Sequence, residues 1–172
     1  MTRLLLDTHV FLWWLSERER LRDAAVRALG EPANTLLFSA ASSWEIAIKY
    51  ALRKLKLPEP PSRFVPERLA RQGMVPLAVE HSHALRVSEL PRHHSDPFDR
   101  LLIAQAQLEK ATVLTADPAF VLYDVDILWA GAGEPPSLVS EGGLAGRDRR
   151  RAAGRVRPRV RKRAARARAH PK

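Results

Sequence analysis

Along the first 130 residues, short unbroken apolar runs alternate with longer stretches whose apolar positions recur every three or four residues. The first kind reads as strands buried on both faces, the second as amphipathic helices. "RLLLD" (3–7) is a leucine run ending in an acid, as in a buried parallel strand, and "VFLWWLSE" follows as a helix. "ERLRDAAVRALG" (19–30) predicts an amphipathic helix with Leu21, Ala24, Ala25, Ala28 and Leu29 on one face and Gly30 as its stop. "TLLFS" (35–39) is the second strand. "SSWEIAIKYALRKL" (42–55) is a strong helix, closed by the proline-rich break "LPEPP".

"SRFVPERLARQG" (62–73) predicts a helix stopped at Gly73, with Pro66 working against it. "MVPLAV" is a weak third strand whose proline suits an edge. "EHSHALRVSEL" reads as a helix, "PRHHSD" as a loop, and "PFDRLLIAQAQLEK" (97–110) as a helix with proline in its first turn. "TVLTAD" (112–117) and "DVDILWA" (124–130) complete the strands. This alternation predicts an α/β domain: a short, mostly parallel sheet with helices on both faces.

Near Gly131 the character changes. The remainder is rich in Gly, Pro, Ala and Arg and poor in large apolar residues, so it is expected to be disordered. The chain divides into a domain, 1–130, and a basic tail, 131–172. The net charge of +10 on 172 residues suggests nucleic acid until its distribution is read. Residues 1–130 hold 16 basic and 16 acidic residues, and residues 131–172 hold 13 and 3, so the whole excess is in the tail. That tail is either a solubilising or accidental extension, or an electrostatic arm for a polyanion. With no cysteine, disulfides and thiolate metal sites are excluded. No apolar run approaches the ~20 residues of a membrane span, and the N-terminus lacks a signal-peptide pattern. The expectation is a cytoplasmic protein with no membrane partner.

The candidate chemistry lies in the acids. In open α/β sheets, sites form outside the carboxyl ends of the strands. Asp7 and Asp117 directly follow apolar strands, while Glu45 and Asp99 stand near helix starts that meet the same rim. Each has a plainer account. Asp7 and Asp117 could be N-caps, Glu45 could form a capping box with Ser42, and Asp99 could be surface charge. Asp96, before Pro97, fits an N-cap. Four carboxylates at one rim, however, repel one another unless a counter-charge is present. Mg²⁺ or Mn²⁺, hard ions that prefer oxygen ligands, would supply it. Metals held this way activate water and stabilise charge developing on a phosphodiester, so metal-assisted phosphodiester hydrolysis is the expected chemistry.

Other residues are secondary. Lys49 lies four residues after Glu45; an i,i+4 ion pair is the simpler account, a phosphate contact the other. Thr8 either starts a helix or bonds a metal-bound water or a substrate phosphate. His94 is expected to orient Asp96 or contact substrate, and Arg100 to offset the acids or approach the substrate backbone. His81 and His83, two apart on one helix, read as structural or exposed. Trp13 and Trp14 suit core packing or a subunit contact better than base stacking.

"LLLDTHVFLWWL", "SAASSWEIAIKYALRKLKLP", "HHSDPFDRLLIAQA" and "VLTADPAF" together resemble PIN-domain ribonucleases, specifically VapC-type toxins of toxin–antitoxin modules. The likeness runs from about residue 2 to "VDILWA" near 130. It implies a three-layer α/β/α sandwich and Mg²⁺- or Mn²⁺-dependent endonucleolytic cleavage of RNA. It also implies a homodimer and a cognate antitoxin. The family's acids fall on Asp7, Glu45, Asp99 and Asp117, as metal ligands and catalytic groups, with Asp96 part of the "DPFDR" signature of one subgroup. Two rivals stand beside this reading. One is a non-catalytic nucleic-acid-binding module acting through the tail. The other is a phosphatase with Asp7 as nucleophile, disfavoured because position 9 is His9 where a second acid is wanted.

Overall fold

The computed structural model describes residues 1–136. The basic tail expected beyond the domain therefore lies almost wholly outside the described residues. Five strands form one sheet: β1 (Arg3–Leu6), β2 (Thr35–Ser39), β3 (Val75–Leu77), β4 (Thr112–Thr115) and β5 (Ile127–Trp129). Their order is β3-β2-β1-β4-β5, and every pairing is parallel. The helices are α1 (Thr8–Ser16), α2 (Asp23–Gly30), α3 (Ala40–Ala51), α4 (Pro61–Arg71), α5 (His81–Arg86) and α6 (Pro97–Glu109).

The leucine runs are explained by burial on both faces. Leu4 and Leu6, with Leu36, Phe38 and Leu114, pack into a core shared with α1, α2, α3 and α4. Leu5, Leu37 and Val113 point the other way, into a second core built on α6 with Phe120 and Tyr123. Successive strand residues thus feed opposite layers, which is why no polar alternation marks these strands. The result is the expected three-layer arrangement. β3 is an edge strand, where the missing N–H of Pro76, in register with Phe38, is tolerated.

The chain runs from β1 to β2 to β3 toward one edge, then resumes at β4 on the other side of β1. The carboxyl ends of β1 and β4 therefore bound a topological switch point, where a ligand crevice is expected. Asp7 N donates to Leu114 O across that junction (3.0 Å).

Several element boundaries differ from the sequence expectation. The helix expected over 19–30 is a short 3-10 turn (Arg18–Arg20) and then α2, which begins only at Asp23. Tertiary bonding interrupts it: Leu21 bridges to Gly131, and Arg22 N donates to Ala130 O. The helix expected from Ser42 begins at Ala40, capped by Ser39, whose hydroxyl accepts from Ala41 N (2.9 Å). It stops at Ala51 because Arg53 takes a left-handed conformation, φ 56°, and Lys54 N turns back to Lys49 O. Past residue 130 the chain is still tied to the domain. Ala132 N donates to Arg20 O (2.9 Å), and the Trp129 indole donates to Gly133 O (3.2 Å).

Candidate functional site

Three of the candidate acids are helix caps. Asp7 follows β1 and accepts from His9 N at the start of α1 (3.1 Å). Asp117 follows β4 and accepts from Ala119 N at the head of a short 3-10 helix (2.8 Å). Asp96 caps α6, accepting from Phe98 N (2.8 Å), which leaves Asp99 in the first turn. Each cap uses one carboxylate oxygen; the second oxygen of Asp7 accepts from the Thr115 hydroxyl, and that of Asp117 meets His94 Nε2.

Thr115 joins two of these acids. Its buried hydroxyl donates to Asp7 Oδ2 (2.6 Å) and accepts from Asp117 N (3.0 Å). The sequence reading missed it because a threonine closing a strand carries no signal of its own. Gln105, fully buried on α6, was missed likewise. It accepts from Ser39 Oγ (2.6 Å) and donates to Ala78 O (2.9 Å), fixing α6 against the ends of β2 and β3.

His94, Asp99 and Asp117 come together. One ligand atom from each lies within 4.8 Å of the others. His94 Nε2 stands 3.1 Å from Asp117 Oδ2 and 3.3 Å from Asp99 Oδ2. Its Nδ1 accepts from Asp96 N (2.9 Å), so it does orient the Asp96 loop as expected. Asp7 and Glu45 are not members of this trio. Asp7 is nonetheless near enough for its charge to act on Asp99.

Glu45 is buried, 6% exposed, and its two oxygens are occupied. Lys49 Nζ lies 2.5 Å from Oε1, and the Thr8 hydroxyl donates to Oε2 (2.5 Å). The ion pair expected between Glu45 and Lys49 is present, and Thr8 serves that pair. Of its apolar neighbours in sequence, Ile46 is buried, whereas Trp44 and Tyr50 are exposed. Ser42, expected to form a capping box with Glu45, lies inside α3 instead. Its hydroxyl is buried and unpartnered among the described residues.

Arg100, expected to offset the acids or approach substrate, is used elsewhere. Its guanidinium donates to the carbonyls of Pro91 (2.7 Å), Val87 (2.9 Å) and Leu90 (3.2 Å), holding the loop that carries His94. His83 is structural, as expected. It is buried, accepts from Glu80 N, and meets Glu109 at 3.2 Å. Trp13 and Trp14 pack against the core, also as expected.

The acids differ in charge state. Burial pushes the Asp99 carboxyl up, the charges of Asp7 and Asp96 add to it, and it reaches about 7 despite the opposing pull of His94. Burial also works to raise Asp7, but the hydrogen bonds from His9 and Thr115 outweigh it and hold that carboxyl below the usual range. His9 is raised in return by its bond to Asp7. The donor set fits a hard dication: carboxylate oxygens, no sulfur, and one aspartate raised by burial and by like charges that His94 only partly offsets.

The PIN domain family matches residues 4–126. Ribonuclease VapC22 of Mycobacterium tuberculosis is 35% identical over 109 residues, 62% of this chain and 80% of that protein. Ribonuclease VapC16 of the same organism is 56% identical over 50 residues, 29% of this chain and 36% of that protein. Among solved structures, a chain of VapBC2 from Rickettsia felis, bound to a promoter DNA fragment, superposes with a TM-score of 0.59 at 17% identity. That match covers 75% of this chain and 99% of the other. A chain of DNA-bound VapBC from Salmonella typhimurium gives 0.56 at 17% identity, covering 74% and 98%. At such identity these two structures speak to the fold, which they share. The chain belongs to the PIN-domain family, and within it to the VapC-type proteins.

Proposed function

We propose that this protein is an endoribonuclease, the toxin of a toxin–antitoxin pair, that hydrolyses RNA phosphodiesters with the help of Mg²⁺ or Mn²⁺. The observation that carries the reading is the pairing of Asp99 with Asp117 beside Asp7 at the switch point of a parallel sheet. Asp7, Asp99 and Asp117 would hold the cation, with Glu45 completing the acid set from α3. Bound there, the ion supplies a nucleophilic water at neutral pH and offsets the charge on the phosphate oxygens.

The chain's own residues do the positioning. Thr115 holds Asp7 and Asp117 in register, and Thr8 and Lys49 hold Glu45. Asp96 sets where α6 begins and so where Asp99 stands. Water adds to phosphorus and the bond to the 3′ oxygen breaks, leaving a 5′-phosphate and a 3′-hydroxyl. The relatives named as ribonucleases support the substrate class, and the VapBC complexes support a cognate antitoxin as partner. A homodimer and a cytoplasmic setting belong to the same reading. No helix among the described residues is long and apolar enough to cross a membrane.

The test is cleavage of single-stranded RNA by the full chain with Mn²⁺ and with EDTA, alongside Asp7→Asn and Asp99→Asn. Cleavage that needs the cation and disappears in both folded variants is expected. Equal cleavage in EDTA, or full activity in either variant, overturns the assignment.

A further inference from the structure

We propose that His94 stays outside the metal's ligand shell and acts as a fixed hydrogen-bond donor from Nε2. It would donate to the Asp99 and Asp117 carboxylates in the cation-free protein, and to a non-bridging phosphate oxygen of RNA in the loaded one. This rests on the nuclease reading for its second half only.

Spacing alone would make His94 a third ligand, since its Nε2 sits among the carboxylate oxygens. The ring's other nitrogen decides otherwise. Asp96 N is 2.9 Å from Nδ1, and a backbone N–H can only donate. Nδ1 therefore presents its lone pair to Asp96, and the proton of the neutral ring is on Nε2. A nitrogen that carries a hydrogen has no lone pair for a cation, whereas it is well suited to an anion. Moving that proton to Nδ1 would set two hydrogens against each other and leave the N–H of the α6 cap residue without its partner.

The ring has little freedom to turn. His94 N donates to the Tyr123 hydroxyl (2.7 Å), and the ring stands edge-on to Phe120 at 6.3 Å. The Tyr123 hydroxyl also meets Arg100 (3.4 Å), whose other donors pin the carbonyls before the loop. The donor is thus aimed before any ligand arrives. Once a dication neutralises the two carboxylates, the N–H remains pointed at the site, and the next oxygen anion to enter is the phosphate brought by the RNA. Contacts of this kind fix a nucleic-acid backbone in register.

Nitrogen-15 NMR of the imidazole in the full chain tests the donor directly. Nε2 protonated and Nδ1 unprotonated is expected both without metal and with saturating Mg²⁺. Loss of the Nε2 proton on adding Mg²⁺ makes His94 a ligand and overturns the proposal. The variants His94→Asn and His94→Gln test the consequence. Asn keeps an acceptor near the Nδ1 position and removes the Nε2 donor, while Gln places an N–H near Nε2. For H94N we expect Mn²⁺ affinity within about threefold of the parent and kcat/KM on RNA lower by about 10²-fold, the scale of one lost donor to a developing oxyanion. H94Q should recover part of that loss. A tenfold or greater fall in Mn²⁺ affinity in H94N, or unchanged kcat/KM, contradicts the proposal. If H94N fails to fold, the NMR measurement on the parent protein decides. If the parent cleaves no RNA, the nuclease reading fails, while the tautomer and the Mn²⁺ titration still decide whether His94 is a donor or a ligand.

Discussion

Two carboxylates, Glu45 buried and Asp99 half-buried, are treated in opposite ways. Glu45 is provided with a lysine and a hydroxyl, one for each oxygen. Asp99 is pushed up to about 7 by its partial burial and by the like charges of Asp7, Asp96 and Asp117, with only His94 against them. Burying a bare carboxylate is costly, and the proposed cation would supply at Asp99 the counter-charge that Lys49 supplies at Glu45. The side chain types are nearly the same; what differs is whether the chain itself brings the counter-charge.

The sharpest way to break that contrast is Asp99→Asn. RNA cleavage should fall by at least about 10²–10³-fold, measured as initial rate with saturating Mn²⁺. The same variant should be more stable than the parent at pH 8 without metal and equally stable at pH 4. The sign follows from the raised folded-state value. An ordinary aspartate ionises near ~3.9, so the protonated form is favoured in the folded state, the full stability is present below pH 4, and it is lost as pH rises toward 7. Asparagine cannot ionise and removes the loss. Melting curves of both proteins across pH 4–8 check this, and parallel curves would remove the account of Asp99. Divalent cation should suppress the parent's pH-dependent loss, with proton release on binding below pH 7 measured by calorimetry in two buffers of different ionisation enthalpy.

Thr115→Val comes next. It strips Asp7 of a donor and Asp117 N of its acceptor while keeping the shape, at a cost of about 1–3 kcal/mol in stability. Urea unfolding measures it, and weaker Mn²⁺ binding should accompany it. Lys49→Met tests the other pocket. Leaving Glu45 buried without its cation should cost about 1–2 kcal/mol in urea unfolding, between a surface pair and a fully buried one. The smallest effect is expected from truncation after Pro136: cleavage within about twofold of the full chain. A collapse of activity together with its salt dependence would instead favour a module that works through its basic tail.

Much of this contrast was legible in the residues. The double-sided leucine strands, Asp7 and Asp117 at strand ends, and the i,i+4 spacing of Glu45 and Lys49 all follow from local pattern. What was not legible depends on distant contacts. The break before α2 arises because Leu21 and Arg22 bond to Gly131 and Ala130, more than a hundred residues away. Arg100 reads as a charge beside Asp99, yet helical geometry sends it to the carbonyls of the preceding loop. Thr115 and Gln105 have no signature as single polar residues; only the fold shows that their hydrogen bonds join separate segments of the site.

The measurement closest to the central claim is Mn²⁺ binding to the full chain and to Asp99→Asn, followed by calorimetry at pH 7.5 without RNA. The parent should bind the ion in a saturable way, and the variant should lose at least about tenfold in affinity as an acidic group is removed. Equal binding in both proteins, or none in the parent, would contradict a cation site built on the unbalanced carboxylate.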